Sequence, residues 1–215
     1  NALDRIVTAS VAHAYSDGRH DDLRDVFYKS VKYLSLIGGL LFVGVNTNIT
    51  YLLHLIGKDY TQGIVVVYII SAGSLITMFS GSSNPLLIYT SKPWQGATML
   101  LMLVVVTVIC NMFFIPLFGI NGAAMSTAIS AVLFAGGKAA LNYRRLGFQP
   151  YNSTTLKIIF IILFCFGVNH FLPALPSAVL NIILRSIVIG GVYLLLVYVL
   201  NLASEFHRFL PWQKE

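Results

Sequence analysis

The chain has 215 residues, of which 57% are hydrophobic and 10% charged, and its mean hydropathy is +0.79. Soluble domains carry about 25% charged residues, so the composition excludes that class and predicts a membrane protein. The formal charge of +6 does not point to nucleic acid, because the basic residues sit in short patches between apolar runs, as positive-inside topology requires.

In chain order, residues 1–16 place Leu3, Ile6, Val7 and Val11 at helical spacing, which suits the end of a transmembrane helix whose beginning lies upstream. The chain starts on Asn1, in what reads as mid-helix, so a piece of a longer protein is expected. Asp4 and Arg5 do not make the charged-then-apolar order of a cleavable signal peptide. Residues 17–25 are a polar break. From Leu23 to Lys32, the residues Leu23, Val26, Phe27 and Val31 stand against Arg24, Asp25, Lys29 and Lys32. That pattern reads either as an amphipathic helix in the headgroup region or as a solvated loop. The predicted organisation is therefore a helix end plus a cytoplasmic amphipathic segment over 1–32, a transmembrane lobe over 33–203 and a cytoplasmic tail over 204–215.

Five or six complete spans are expected, the six near 33–56, 64–90, 95–115, 120–142, 156–174 and 179–203, because about 20 apolar residues cross a hydrocarbon core of about 30 Å. Asn169, His170, Pro173 and Pro176 shorten the apolar length of the fifth. With six spans, twelve of the fourteen Lys and Arg residues fall on one side, and Lys58 and Arg185 on the other. That asymmetry predicts both ends of the chain in the cytoplasm.

The charge-free stretches narrow the chemistry. Between Tyr60 and Ser91, between Trp94 and Gly137 and from Ile158 to Leu184 no charged residue occurs, whereas ion-coupled transporters keep an acidic group near the membrane midplane. Uncharged polar groups are present instead. Asn46 and Asn48, in the run NTNIT of the first span, either bond between helices or line a water-filled cavity. Ser80, Gly81, Asn84 and Pro85 interrupt the second span, as a hinge, a cavity lining or a structural kink. Asn111 in the third span faces a cavity or a neighbouring helix. Arg5 either holds phosphate oxygens within the membrane or snorkels beside Asp4.

Further along, Pro116 lacks a backbone donor and Gly119 tolerates any φ, so a helix is expected to stop, turn and restart there, with Asn121 in the turn. Beyond the turn, Gly122, Ser126 and Ser130, with Ala124 and Ala128, place small residues four apart, a face that lets helices approach closely in lipid. The two cysteines, Cys110 and Cys165, lie in apolar runs and read as small buried hydrophobes. The five histidines are scattered without acidic partners at metal spacing. With no GxSxG, HExxH, Walker A or paired-carboxylate motif, neither a hydrolase nor a nucleotide-driven pump finds support.

The stretch IPLFGINGAAMSTAIS, residues 115–130, preceded by Asn111, resembles the second half of polysaccharide flippases. These belong to the exporter superfamily that includes lipid II flippases and multidrug and toxin extrusion transporters. Residues 84–93, NPLLIYTSKP, are similar to a helix end in the same family. The resemblance implies an all-α membrane protein: a six-helix transmembrane lobe, half of a two-lobe exporter fold, whose partner is an N-terminal lobe of the same protein. It implies a flippase that moves a polyprenyl-diphosphate-linked glycan across the cytoplasmic membrane by alternating access; no cofactor, enzymatic activity or nucleic-acid partner is expected. Alternatives are a cation-coupled drug or toxin exporter of the same superfamily, a membrane enzyme of surface glycan synthesis and a helical scaffold.

Overall fold

The computed structural model describes residues 20–57, 60, 63–81, 93–147 and 152–202. Over them run six helices and no strand: α1 His20–Ile56, α2 Gly63–Phe79, α3 Pro93–Phe118, α4 Ile120–Leu146, α5 Ser153–Phe171 and α6 Ala178–Val199. Five are long and apolar enough to cross a membrane. The remaining one, α2, is equally apolar but has 17 described residues, about 26 Å at 1.5 Å each. The chain is an all-α, multi-pass membrane protein.

Helix α1 is the hub. Its 37 residues extend about 55 Å and pack against α2, α5 and α6, while α4 lies on α2 and α3 lies on α4. The α3–α4 pair is thus joined to the rest chiefly through α2. No break separates the amphipathic segment from the first span: the helix runs straight through residue 32, and the apolar side of its first turns, Phe27 and Val31, is buried.

The core collects Val43 of α1, Leu75 and Phe79 of α2, Ile158, Ile161, Ile162 and Cys165 of α5, and Ile189, Tyr193 and Val197 of α6. Its largest member is anchored by a polar bond, since the Tyr193 hydroxyl donates to the Leu36 carbonyl at 2.8 Å. A side chain on Gly39 would meet that hydroxyl at 2.6 Å, so the close crossing of α1 and α6 depends on the missing Cβ.

The second helix stops earlier than the expected 64–90. After Phe79, Ser80 and Gly81 donate their N–H groups to the Thr77 and Met78 carbonyls at 3.1 and 3.0 Å, and Gly81 takes φ +63°. This is a left-handed glycine closing a helix, so Gly81 caps α2. Pro85 itself, with Asn84, lies outside the described residues.

The corner between α3 and α4 also differs in detail. Pro116 sits inside the last turn of α3, which continues to Phe118, and the reversal falls on Gly119 at φ +57°, ψ −130°. That conformation is almost closed to residues with a Cβ. Three residues on, a Cβ at Gly122 would collide with the Phe114 carbonyl, so Gly122 sets how closely the two helices fold back. Gly122, Ala124, Ser126 and Ser130 are buried, and on the adjoining side Gly73 of α2 leaves room for Ala128, whose Cα lies 2.9 Å from where a Gly73 Cβ would be. The small-residue face of α4 is a close-packing surface on both neighbours.

Gly122→Ala is expected to lower the thermal midpoint of the purified protein. Gly136→Ala, whose new methyl would meet open space, is expected to leave it unchanged or raise it, since alanine is favoured over glycine in a helix by about 1 kcal/mol. Equal midpoints for the two variants would contradict a packing role for Gly122.

Candidate functional site

Polar groups inside the membrane-spanning helices concentrate on α1. Asn46, Thr47 and Asn48 are all buried, and their order along a helix, 100° apart, sends the two asparagines to opposite flanks. Asn46 faces α2. Its amide nitrogen donates to the Phe42 carbonyl at 2.6 Å and to Ser71 Oγ at 3.0 Å, while Ser71 Oγ lies 3.1 Å from Asn46 Oδ1 as a donor. The Tyr68 hydroxyl donates to the Asn46 carbonyl at 3.2 Å. Asn46 is therefore an interhelical bridge with every polar atom used, the first of its two expected roles.

Asn48 faces α6. Its Nδ2 donates to the Gly44 carbonyl at 2.8 Å and to Ser186 Oγ at 3.2 Å, and its buried Oδ1 has no partner. Beside this bond α1 and α6 leave a half-open cleft of about 250 Å³, lined by Leu40, Gly44, Thr47, Arg185, Ser186 and Gly190 among others.

Arg185 is the unusual member. It lies seven residues into α6, is 6% exposed, and its guanidinium stacks over the Tyr51 ring at 5.0 Å. Helical side chains lean toward the N-terminus of their own helix, which carries this one to the C-terminal end of α5. There Nη1 donates to the Asn169 side-chain oxygen and, at 3.3 Å, to the Asn169 carbonyl, and Nη2 reaches the Leu172 carbonyl at 3.4 Å. The negative end of the α5 dipole and these carbonyls hold the charge in place. One turn earlier on α6, Asn181 fixes the same connection, donating to the Leu175 and Ser177 carbonyls at 2.6 and 2.9 Å and accepting from the Leu175 N–H at 2.9 Å. Nε of Arg185 remains buried and unpartnered, and the one carboxylate whose side chain is described, Asp25, stands near the start of α1.

The other expected residues do not join this cleft. Ser80 is buried at the end of α2, where a Cβ on its neighbour Gly81 would meet Val31 at the other end of α1's buried stretch, 3.1 Å from the Val31 Cα. Asn111 is half-buried on α3, the helix that packs chiefly on α4. Arg5, Asn84 and Pro85 lie outside the described residues. Among the described residues no cluster of His, Cys, Asp or Glu could hold a metal ion.

No family model matches the chain, and no curated protein matches it. What is known of the site rests on its own geometry.

Two polar residues were missing from the sequence-based set. In the sequence Arg185 is one of the two cations on the minority side and reads as a residue that meets headgroups there, and neither reading reveals its burial. Asn142 on α4 is 1% exposed with both amide atoms unpartnered. A period-four reading from Ser126 and Ser130 through Lys138 to Asn142 would have found it on the small-residue face.

A double-mutant cycle on Asn46→Ala and Ser71→Ala, read by unfolding of the purified protein, is expected to return a coupling of about 0.6 kcal/mol, and at most about 1.7 kcal/mol, the range for side-chain hydrogen bonds between membrane helices. Additive single effects would show that the pair is not a bridge. Replacing Tyr51 by Leu is expected to cost about 1–2 kcal/mol through the lost cation–π contact, and Tyr51→Phe much less.

Proposed function

We propose that this chain is the six-helix C-terminal lobe of a flippase that carries a polyprenyl-diphosphate-linked glycan across the cytoplasmic membrane, with both ends of this segment on the cytoplasmic side. An N-terminal lobe of the same protein would face it, and the two would rock so that a shared cavity opens to one leaflet and then the other.

The observation that carries this reading is the sign of the buried charge. Lys138 of α4, over the Phe134 ring at 4.5 Å, and Arg185 of α6 are both buried cations within apolar helices, and no described span carries a carboxylate in its apolar stretch. Keeping a cation in hydrocarbon costs several kcal/mol, and the arrangement is useful where phosphate must pass, since ammonium and guanidinium groups form charge-assisted bonds to its oxygens. An exporter of organic cations would need the opposite sign. Support also comes from the corner at residues 115–130. The stretch that resembles the flippase family folds into the close-packed turn through which the α3–α4 pair meets α2, where small residues allow one helix pair to shift against another. The sugar hydroxyls of a glycan would find partners in uncharged amides and hydroxyls of the kind on α1 and α4.

In the complete protein, Lys138→Gln is expected to lower surface polysaccharide and to accumulate its lipid-linked precursor at unchanged membrane abundance. The expected fall is roughly tenfold, from the loss of one charge-assisted hydrogen bond of about 1.5–3 kcal/mol. Normal polysaccharide together with reduced efflux of an organic cation would replace this reading with the drug-exporter one.

A further inference from the structure

We propose that the cleft between α1 and α6 is a seat for one anionic phospholipid of the bilayer, with its phosphate at Arg185 and one acyl chain along the groove. The inference stands apart from the transport reading: a resident lipid can occupy this place whether or not the complete protein moves a glycan.

The shape comes from two glycines. A Cβ placed on Gly44 of α1 or on Gly190 of α6 meets nothing within 4 Å, so the groove is the space that their side chains would have filled. From Thr47 to Leu40 it follows α1 for about 10 Å, and its inner part, with Leu40, Gly44 and Gly190, is apolar. The rim opens toward lipid, because its lining residues Leu41 and Val45 are 54% and 40% exposed. Whatever fills the groove arrives from the bilayer side.

The chemistry comes from the other end. Of the five N–H donors of a guanidinium, two on Nη1 go to Asn169 and one on Nη2 to the Leu172 carbonyl, which leaves Nε–H and the second Nη2–H. Nε is buried without a partner. Nε–H shares one planar edge of the guanidinium with an N–H of Nη2, the fork that makes arginine a bidentate phosphate ligand. Next to it, Ser186 Oγ is held by Asn48, and Asn48 Oδ1 is a buried acceptor without a partner among the described residues. That oxygen can accept from a hydroxyl on the headgroup. One positive charge without a described carboxylate is neutralised by one phosphodiester, which selects an anionic, hydroxyl-bearing phospholipid such as phosphatidylglycerol. The depth agrees, because the Arg185 side chain leans toward the N-terminal end of α6 and so toward the headgroup layer.

The test is native mass spectrometry of the full chain in a non-ionic detergent, titrated separately with dioleoylphosphatidylglycerol, dioleoylglycerol and inorganic phosphate. Retention of one phosphatidylglycerol is expected, with dioleoylglycerol at least about tenfold weaker and no phosphate adduct, since the charged bond and the chain contact are both required. Gly190→Phe fills the groove from a position with open space, so its circular dichroism and thermal midpoint are expected to stay unchanged while phosphatidylglycerol binding falls about tenfold. Arg185→Gln is expected to erase the preference for phosphatidylglycerol over dioleoylglycerol. Should Arg185→Gln not fold, the Gly190→Phe result decides. Undiminished phosphatidylglycerol binding by folded Gly190→Phe, or equal binding of dioleoylglycerol by the wild type, overturns the proposal. Tighter retention of a polyprenyl phosphate than of phosphatidylglycerol overturns it too, and makes the groove a place for the transported lipid.

Discussion

Hydrocarbon offers no hydrogen-bond partner, so each polar group carried into the bilayer must find one within the protein or cost several kcal/mol. That constraint shapes this chain from backbone to side chains. Six helices satisfy their own backbones, and four of the five breaks between them begin at glycines with positive φ: Gly57, Gly81, Gly119 and Gly147. The hydroxyls in the spans mostly bond back to the preceding turn, as Thr47 does to Val43 at 2.7 Å, Thr107 to Leu103 at 2.7 Å and Ser126 to Gly122 at 2.9 Å. Side chains that reach across helices tie the architecture together, among them Asn46 with Ser71, Tyr68 with the Asn46 carbonyl, Asn48 with Ser186, Tyr193 with the Leu36 carbonyl and Arg185 with the end of α5.

Four of those five cross-links have α1 as one partner. The hub is therefore held by specific polar contacts on the α2 and α6 sides, while α4 meets α2 at the close fit of Ala128 on Gly73 and folds back on α3 at Gly122. The difference matters mechanically. A hydrogen bond in an apolar medium has a preferred geometry and resists sliding, whereas a glycine–alanine contact such as Gly73–Ala128 carries no directional bond. Polar bonds between helices thus gather around α1, and the α3–α4 pair meets α2 at a contact that includes Gly73 and Ala128.

The amount that could be read from the sequence follows the same division. Apolar length and the even spacing of Gly122, Ser126 and Ser130 are local patterns, so the helices, the corner and the close-packed face of α4 were all legible. The exact stop of α2 was not, because the αL conformation of Gly81 and the fixed φ of Pro85 compete to end the same helix and composition does not rank them. At the corner the proline is not the stop: in the last turn of a helix it forfeits one bond without ending it, and Gly119, three residues after Pro116, makes the reversal. The partners of Asn46, Asn48 and Arg185 are set by which helices meet α1. Ser71, Ser186 and Asn169 lie 25, 138 and 16 residues away in sequence, and no single-chain periodicity encodes such pairings.

Arg185 shows why burial and topology have to be considered together. Counted among the basic residues, it is an exception to positive-inside bias; placed in the fold, it is a cation between a helix dipole, an aromatic ring and an open groove. The dipole and the carbonyls at the end of α5 account for its position, since they supply negative potential where the guanidinium lies. They do not account for its net charge, which partial charges offset without neutralising, nor for the donor on Nε that points to no atom of the described chain. A glutamine would hold the same connection through neutral hydrogen bonds at a lower desolvation cost. Retaining a full charge beside a groove emptied by two glycines is explained by an anion that comes from outside the helices.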